Sequence, residues 1–332
     1  MQTPMTTATT LTSAPTQRHP LAAPRVVAAA ALASAVLVAC GGGGSDSTST
    51  SSSSTATSGT STAGVLCDYS SSAFNITPSV NAIATAAWSC TTATRSLKAN
   101  GLPDHAVGTF PNSGNPNTIT AQNISSSFKV SPVLTTTVTA RGGPTGPTGV
   151  ILNGVSIDPN TAGTCDNSGS QCDLAQGTGP WNIEAIGGAF NFGTDSNNAH
   201  VQPGGVYHYH GVPEGFVTKL AKGQAMTLVG WAADGFPIYA RYGHAIAADA
   251  TSALKVLRGS YRFKATPDAN RPATSLYPMG TFKQDYEYLA GYGDLDECNG
   301  RSGVTPEFPG GIYHYYATDT YPYLQRCVKG QL

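Results

Sequence analysis

From Gly41 to Thr62 the chain reads GGGGSDSTSTSSSSTATSGTST, a run with almost no apolar side chain. Such a segment has nothing to bury against the cost of ordering its backbone, roughly 1–2 kcal/mol per residue, so no compact domain extends through it. It divides the 332 residues into a short N-terminal piece and a long stretch from Gly64 to Leu332. Only the second is long enough for a sizeable core. Three segments follow: 1–39, 40–63 and 64–332.

The first segment carries Arg18, His19 and Arg25 ahead of an apolar run from Val26 to Val38. At about 1.5 Å per residue that run is too short to cross a bilayer as a helix. It ends Leu37-Val38-Ala39-Cys40, which resembles the lipobox of bacterial lipoproteins. The resemblance implies a signal peptide cut before Cys40, diacylation of Cys40, and attachment to the membrane through lipid alone. Gly41 stands where an Asp would signal inner-membrane retention, which implies the outer membrane in a Gram-negative source. The rival reading is an ordinary signal peptide with an incidental cysteine. The tether at 40–63 gives an r.m.s. reach of roughly 25 Å and an extended limit of about 80 Å. The domain is thus expected in the cell envelope, beside the membrane. With 18 basic and 19 acidic side chains and no basic stripe, a nucleic-acid partner is not expected.

Seven cysteines are present. Setting aside Cys40 leaves Cys67, Cys90, Cys165, Cys172, Cys298 and Cys327, an even set in an exported, oxidising setting. Short loops close at the lowest entropic cost, which favours Cys67–Cys90, Cys165–Cys172 and Cys298–Cys327. The absence of any CxxC pair argues against a thiolate metal site.

The domain is rich in Gly, Pro, Thr, Ser, Asn and Tyr, which suits short strands and tight turns. Ile83–Ser89 reads as a short helix or a strand, and 102–116 as a loop. Strands are expected near 127–130, 135–140, 286–292 and 312–316. Val150–Ile157 and Thr227–Arg241 read as hairpins with type I′ turns at Asn153-Gly154 and Asp234-Gly235. No amphipathic helix beyond two turns is evident after residue 100. The expected fold is mainly β: a single β-sandwich or open-barrel-like domain with long loops, stapled by disulfides.

One stretch echoes another. Pro203-Gly-Gly-Val-Tyr-His-Tyr-His210 matches Pro309-Gly-Gly-Ile-Tyr-His-Tyr-Tyr316. This reads either as a duplicated half-domain or as two strands meeting at one site; the flanks do not align, which favours the second. On a strand, His208 and His210 share one face, while Tyr207 and Tyr209 share the other. An HxH pair on a strand seats two imidazoles on one point, and three protein ligands make an open zinc-type site. His200 and His314 are the candidate third ligands. Zinc or copper is the cofactor class, since neutral imidazoles suit both. The plainer alternative is that these histidines serve the domain's own hydrogen bonds, and the tyrosines read as packing.

His208-x-His210-x3-Glu214 resembles the first cupin motif, but glycine spacing and Pro213 speak against it. Asp294–Gly300 reads as a solvated acidic turn, with calcium as its rival. Asp234 and Glu214 are the candidate general bases. Elbow, P-loop and dinucleotide fingerprints are absent from the sequence.

Four motifs together resemble the signature of YHYH-domain proteins. They are Asn197–Gly211, Ala232–Tyr239, Gly293–Gly300 and the segment from Tyr313 to Tyr323. The resemblance spans roughly Pro103 to Cys327 and implies an intact domain without implying a reaction. The functional expectation is a histidine-rich metal site in a metal-dependent hydrolase of the envelope. The alternative is a non-catalytic lipoprotein that handles metal or binds a ligand, including carbohydrate through Trp181, Trp231 or exposed tyrosines. An open coordination position beside a deep pocket would favour the enzyme.

Overall fold

A computed structural model describes Gly59–Leu332; the leader, Cys40 and most of the tether lie outside the described residues. Packing reaches back slightly beyond Gly64. Thr62 is fully buried, donates its hydroxyl to the Val130 carbonyl at 2.9 Å, and accepts from Arg95 at 2.9 Å.

The described residues are mainly β and form several sheets, with no closed barrel among them. A four-stranded antiparallel sheet runs β1 (Ser70–Asn75), β2 (Ala82–Cys90), β3 (Thr94–Ala99) and β4 (Ile124–Lys129) in spatial order. Ile83–Ser89 is thus strand: Ala84, Ala86 and Trp88 alternate inward while their neighbours face out. Next come β5 (Leu134–Ala140), β6 (Gly149–Ile151), β7 (Ser156–Ile157) and three two-residue strands, β8 (Thr164–Cys165), β9 (Cys172–Asp173) and β10 (Trp181–Asn182). β11 (Ala199–Gln202) and β12 (Val206–Tyr209) precede α1 (Glu214–Leu220), a helix of about two turns, no longer than the sequence led us to expect. β13 (Thr227–Ala232), β14 (Pro237–Ala240), β15 (Tyr242–His244), β16 (Leu254–Val256), β17 (Tyr261–Phe263) and β18 (Tyr286–Tyr288) follow. β19 (Gly300–Gly303), β20 (Ile312–Ala317) and β21 (Cys327–Gly330) complete the chain.

The central sheet has eight strands in the order β11-β12-β7-β6-β13-β14-β20-β19. The four-stranded sheet covers it, giving a sandwich-like core. Trp88 Nε1 donates to the Leu152 carbonyl at 2.8 Å, and the buried Arg95 guanidinium lies 3.6 Å over the Trp231 ring. A desolvated contact of that kind is worth about 2 kcal/mol. Trp231 and Trp181 are both buried and offer no face to a sugar.

The three disulfides are Cys67–Cys90, Cys165–Cys172 and Cys298–Cys327, the pairs that short-loop closure favours. Both expected hairpins form, but their turns are not type I′. Gly154 N–H donates to the Ile151 carbonyl at 2.8 Å and Gly235 N–H to the Ala232 carbonyl at 2.9 Å. Of the turn residues, only Gly154 (φ 87°) and Gly235 (φ 90°) are left-handed, whereas type I′ needs both central residues there. Each loop is a type I turn closed by a glycine. The tips press on the other sheet: a Cβ on Gly235 would sit 2.3 Å from the Lys129 carbonyl oxygen.

The two echoing strands do not meet. β12 and β20 have four strands between them, each paired in parallel with the second strand of a hairpin, β7 or β14. Each is also antiparallel to its own partner, β11 or β19. The pattern is that of a repeated unit.

Candidate metal centre

Antiparallel pairing of β11 and β12 places His200 directly opposite His208, and strand alternation brings His210 to the same face. The β11–β12 turn, Pro203-Gly204-Gly205, holds this register. Gly205 has φ 81°, and a Cβ there would meet Thr120 Oγ1 at 1.9 Å. The three imidazoles converge: His210 Nε2 lies 3.0 Å from His200 Nε2 and 2.9 Å from His208 Nε2. One nitrogen from each ring lies within 4.8 Å of the others.

Backbone carbonyls set two of the tautomers. His200 Nδ1 meets the Phe192 carbonyl at 2.9 Å and His208 Nδ1 meets the Val206 carbonyl at 3.2 Å. A carbonyl only accepts, so both rings carry their proton on Nδ1 and aim an Nε2 lone pair at His210. A neutral His210 has one proton and satisfies at most one of them. Its own Nδ1 is buried beside the Pro159 carbonyl without a well-formed hydrogen bond. Three nitrogens crowded with too few protons make a site short of a cation. Tetrahedral zinc with bonds of about 2.0–2.1 Å would space its ligands about 3.3 Å apart, a few tenths of an ångström wider than found here. The carbonyls on Nδ1 are the outer partners that orient metal-bound histidines.

Burial pushes His208 down to about 4, and burial with the neighbouring His208 pushes His200 down to about 4. Burial and both neighbouring rings hold His210 well below the usual histidine range. All three are neutral at pH 7, the form that ligates metal.

His200 and His208 line a cleft of about 680 Å³, together with Asp158, Asn160, Asn182 and Phe192. His210 stands behind them, fully buried. An ion on the triad would therefore face the cleft. Asp158 is the functional candidate that the sequence reading missed. It follows β7, and its N–H donates to the Tyr209 carbonyl at 3.1 Å, beside the histidine strand. Its Oδ1 accepts the Gly143 N–H at 2.7 Å, and burial raises its carboxyl pKa. Only the parallel β7–β12 pairing joins it to residues some fifty positions on.

The other sequence candidates lie elsewhere. His314 is on β20, where its Nε2 bonds Tyr316 Oη at 2.9 Å, outside the triad. Asp234 is buried at its hairpin tip, accepting Tyr315 Oη at 2.6 Å and Gly330 N–H at 2.8 Å. Glu214 opens α1 and pairs with Arg241. Neither carboxylate lines the cleft. Asp296 organises the acidic turn by accepting from Cys298 N–H at 3.0 Å, Gly300 N–H at 2.9 Å and Tyr313 Oη at 2.8 Å.

The YHYH tyrosines are more than packing. Tyr207 Oη donates to Asp195 at 2.7 Å; Tyr209 Oη bonds His105 Nε2 at 2.6 Å and accepts from Asn153 Nδ2 at 3.3 Å. The back of the metal strand is thus anchored by a buried polar network.

The profile of a family described as "YHYH protein" matches residues 125–330. It spans all three triad histidines and Asp158. Comparison with curated proteins and with solved structures finds no match.

Proposed function

We propose that this chain, which belongs to the YHYH protein family, is a lipid-anchored envelope protein with a metal-dependent hydrolytic site built on His200, His208 and His210. The observation that carries the reading is the position of the triad. Three neutral imidazoles converge, two of them, His200 and His208, on the wall of a cleft large enough for a small substrate and the third, His210, directly behind. Zinc or copper fits the all-nitrogen donor set. A bound divalent ion there would polarise a substrate oxygen and bring water towards ionisation at neutral pH.

The chain's own residues supply the rest. His200 and His208 are locked by backbone carbonyls, so their Nε2 atoms need no reorientation. Asp158, on the cleft wall with a carboxyl pKa already raised by burial, is our candidate to accept the proton of the attacking water. Asn160 is held by Arg326 and by the Arg141 carbonyl, which fixes its place beside that carboxylate. Anchorage at Cys40 to the outer membrane remains part of the proposal, supported by the lipobox-like segment and the tether behind it.

The test is metal analysis of protein purified without added metal, followed by hydrolysis of ester, amide and phosphoester panels. About one equivalent of zinc or copper is expected, absent from His208→Ala. Asp158→Asn should keep the metal and lose turnover by about 10²–10⁴-fold. Metal without any turnover would favour the non-catalytic metal-handling role. No metal binding in a folded protein would overturn both.

A further inference from the structure

The eight-stranded sheet repeats itself about its middle. In the central β6–β13 pair, Val150 lies opposite Trp231, flanked by Gly149 opposite Ala232 and Ile151 opposite Gly230. This register relates Gly149–Asp158 to Gly230–Tyr239. Side-chain chemistry follows the same relation. Asn153 reaches Tyr209 Oη at 3.3 Å, as Asp234 does Tyr315 Oη at 2.6 Å. Asp195 accepts Tyr207 Oη at 2.7 Å, as Asp296 accepts Tyr313 Oη at 2.8 Å. Asn198 (φ 55°) and Asn299 (φ 61°) are both left-handed, and their carbonyls accept the N–H of His210 and Tyr316 at 2.8 and 2.9 Å.

The repeat assigns each residue of the metal centre a counterpart. Arg301 lies opposite His314 as His200 lies opposite His208. Tyr316 takes the place of His210, and Tyr239 that of Asp158. His314 keeps the tautomer lock, with Nδ1 on the Ile312 carbonyl at 2.9 Å. The proton shortage of the triad is absent here. Tyr316 Oη bonds His314 Nε2 at 2.9 Å, where His208 and His210 bring two nitrogens to the same separation. A phenol supplies the donor that a third imidazole lacks. Arg301 adds a permanent positive charge: its guanidinium lies 5.5 Å from the Tyr316 ring and donates to the His244 carbonyl at 2.7 Å. The Tyr239 ring packs 5.3 Å from His314.

We infer that the second half of the sheet is a duplicate of the metal unit in which Arg301 and Tyr316 have replaced two ligands, leaving a latent site for a divalent transition metal around His314. The inference rests on the proposed role of the triad, but its test does not depend on that role. A guanidinium and a phenol do internally what the triad requires of an ion. The intact chain then takes up one metal, and the second unit serves only to complete the sheet.

The experiment uses the full mature chain, titrated with zinc by equilibrium dialysis and with cobalt by absorption. The starting variant, His200→Ala/His210→Ala, removes the first site and is expected to bind no metal. Adding Arg301→His and Tyr316→His should restore one equivalent, with a tetrahedral cobalt spectrum. A folded fourfold variant that binds none overturns the inference. Wild type binding no metal while the fourfold variant binds one would sink the proposed function and leave the duplication standing. If the fourfold variant does not fold, the reciprocal change decides. His200→Arg/His210→Tyr converts the first site into a copy of the second. That variant should bind no metal and melt no lower than metal-free wild type. A drop of more than about 8 °C would show that the guanidinium is not accepted there and would overturn the inference.

Discussion

His210→Ala separates a ligand role from a structural one. In the metal-free domain His210 is a poor contributor to stability. Its Nδ1 is buried without a proper partner, and its Nε2 faces two other nitrogens at 2.9 and 3.0 Å with one proton to share. Truncation removes that conflict and leaves a small void, two effects of opposite sign and roughly 1–3 kcal/mol each. The metal-free melting temperature should therefore move by only a few degrees. The loaded protein should behave differently. Four-ligand structural zinc sites bind with about 10–16 kcal/mol, so one ligand is worth roughly 2.5–4 kcal/mol, or about 10²–10³ in affinity. At zinc a hundredfold above Kd, wild type gains about 2.7 kcal/mol, some 5–10 °C for a domain of this length. His210→Ala should lose nearly all of that gain. Tyr209→Phe is the control on the opposite face. It unpairs buried His105 and Asn153 and should cost about 1–3 kcal/mol with or without metal, while the zinc-induced rise persists. The assay is thermal unfolding followed by circular dichroism, with chelator and with zinc or copper. A zinc-dependent rise that survives His210→Ala would refute the reasoning, as would a wild type that shows no rise with either metal.

Metal-free stability should fall as the pH drops from about 6.5 to about 4. His200 and His208 titrate near 4 when folded and near 6.5 when unfolded, so the unfolded chain binds more protons in that window. The loss should approach ~3 kcal/mol per imidazole at the lower end, and a flat profile by urea titration would contradict it. Thiol counting under denaturing, non-reducing conditions should give none in the mature domain. Cys298→Ser/Cys327→Ser should cost about 2–5 kcal/mol, measured by urea unfolding, without abolishing the fold. Cys40→Ser should abolish labelling by radioactive fatty acid and leave the precursor uncut; normal processing would rule out the lipid anchor.

Much of this protein is written locally. Disulfide pairing followed from loop length, because the three closures are short and independent of the rest of the chain. The His208–His210 pair followed from strand alternation, and both hairpins from Asn-Gly and Asp-Gly between apolar runs. The turn type was not legible there, and the reason the tips are glycine lies in the opposing sheet: Lys129 and Ala99 approach them too closely for any Cβ. The choice of His200 over His314 could not be read from spacing, since either third ligand suited the HxH pair. Antiparallel register placed one opposite His208, and four intervening strands removed the other. Asp158 was invisible for the same reason, brought to the histidines only by a parallel pairing between segments fifty residues apart. The PGG-YHY echo was plain in the sequence, yet its meaning as a duplicated unit lay in sheet order and in hydrogen bonds between residues whose identities have diverged. Period and loop closure act within a segment and survive in one dimension, whereas register and strand order are long-range pairings that only the folded sheet selects.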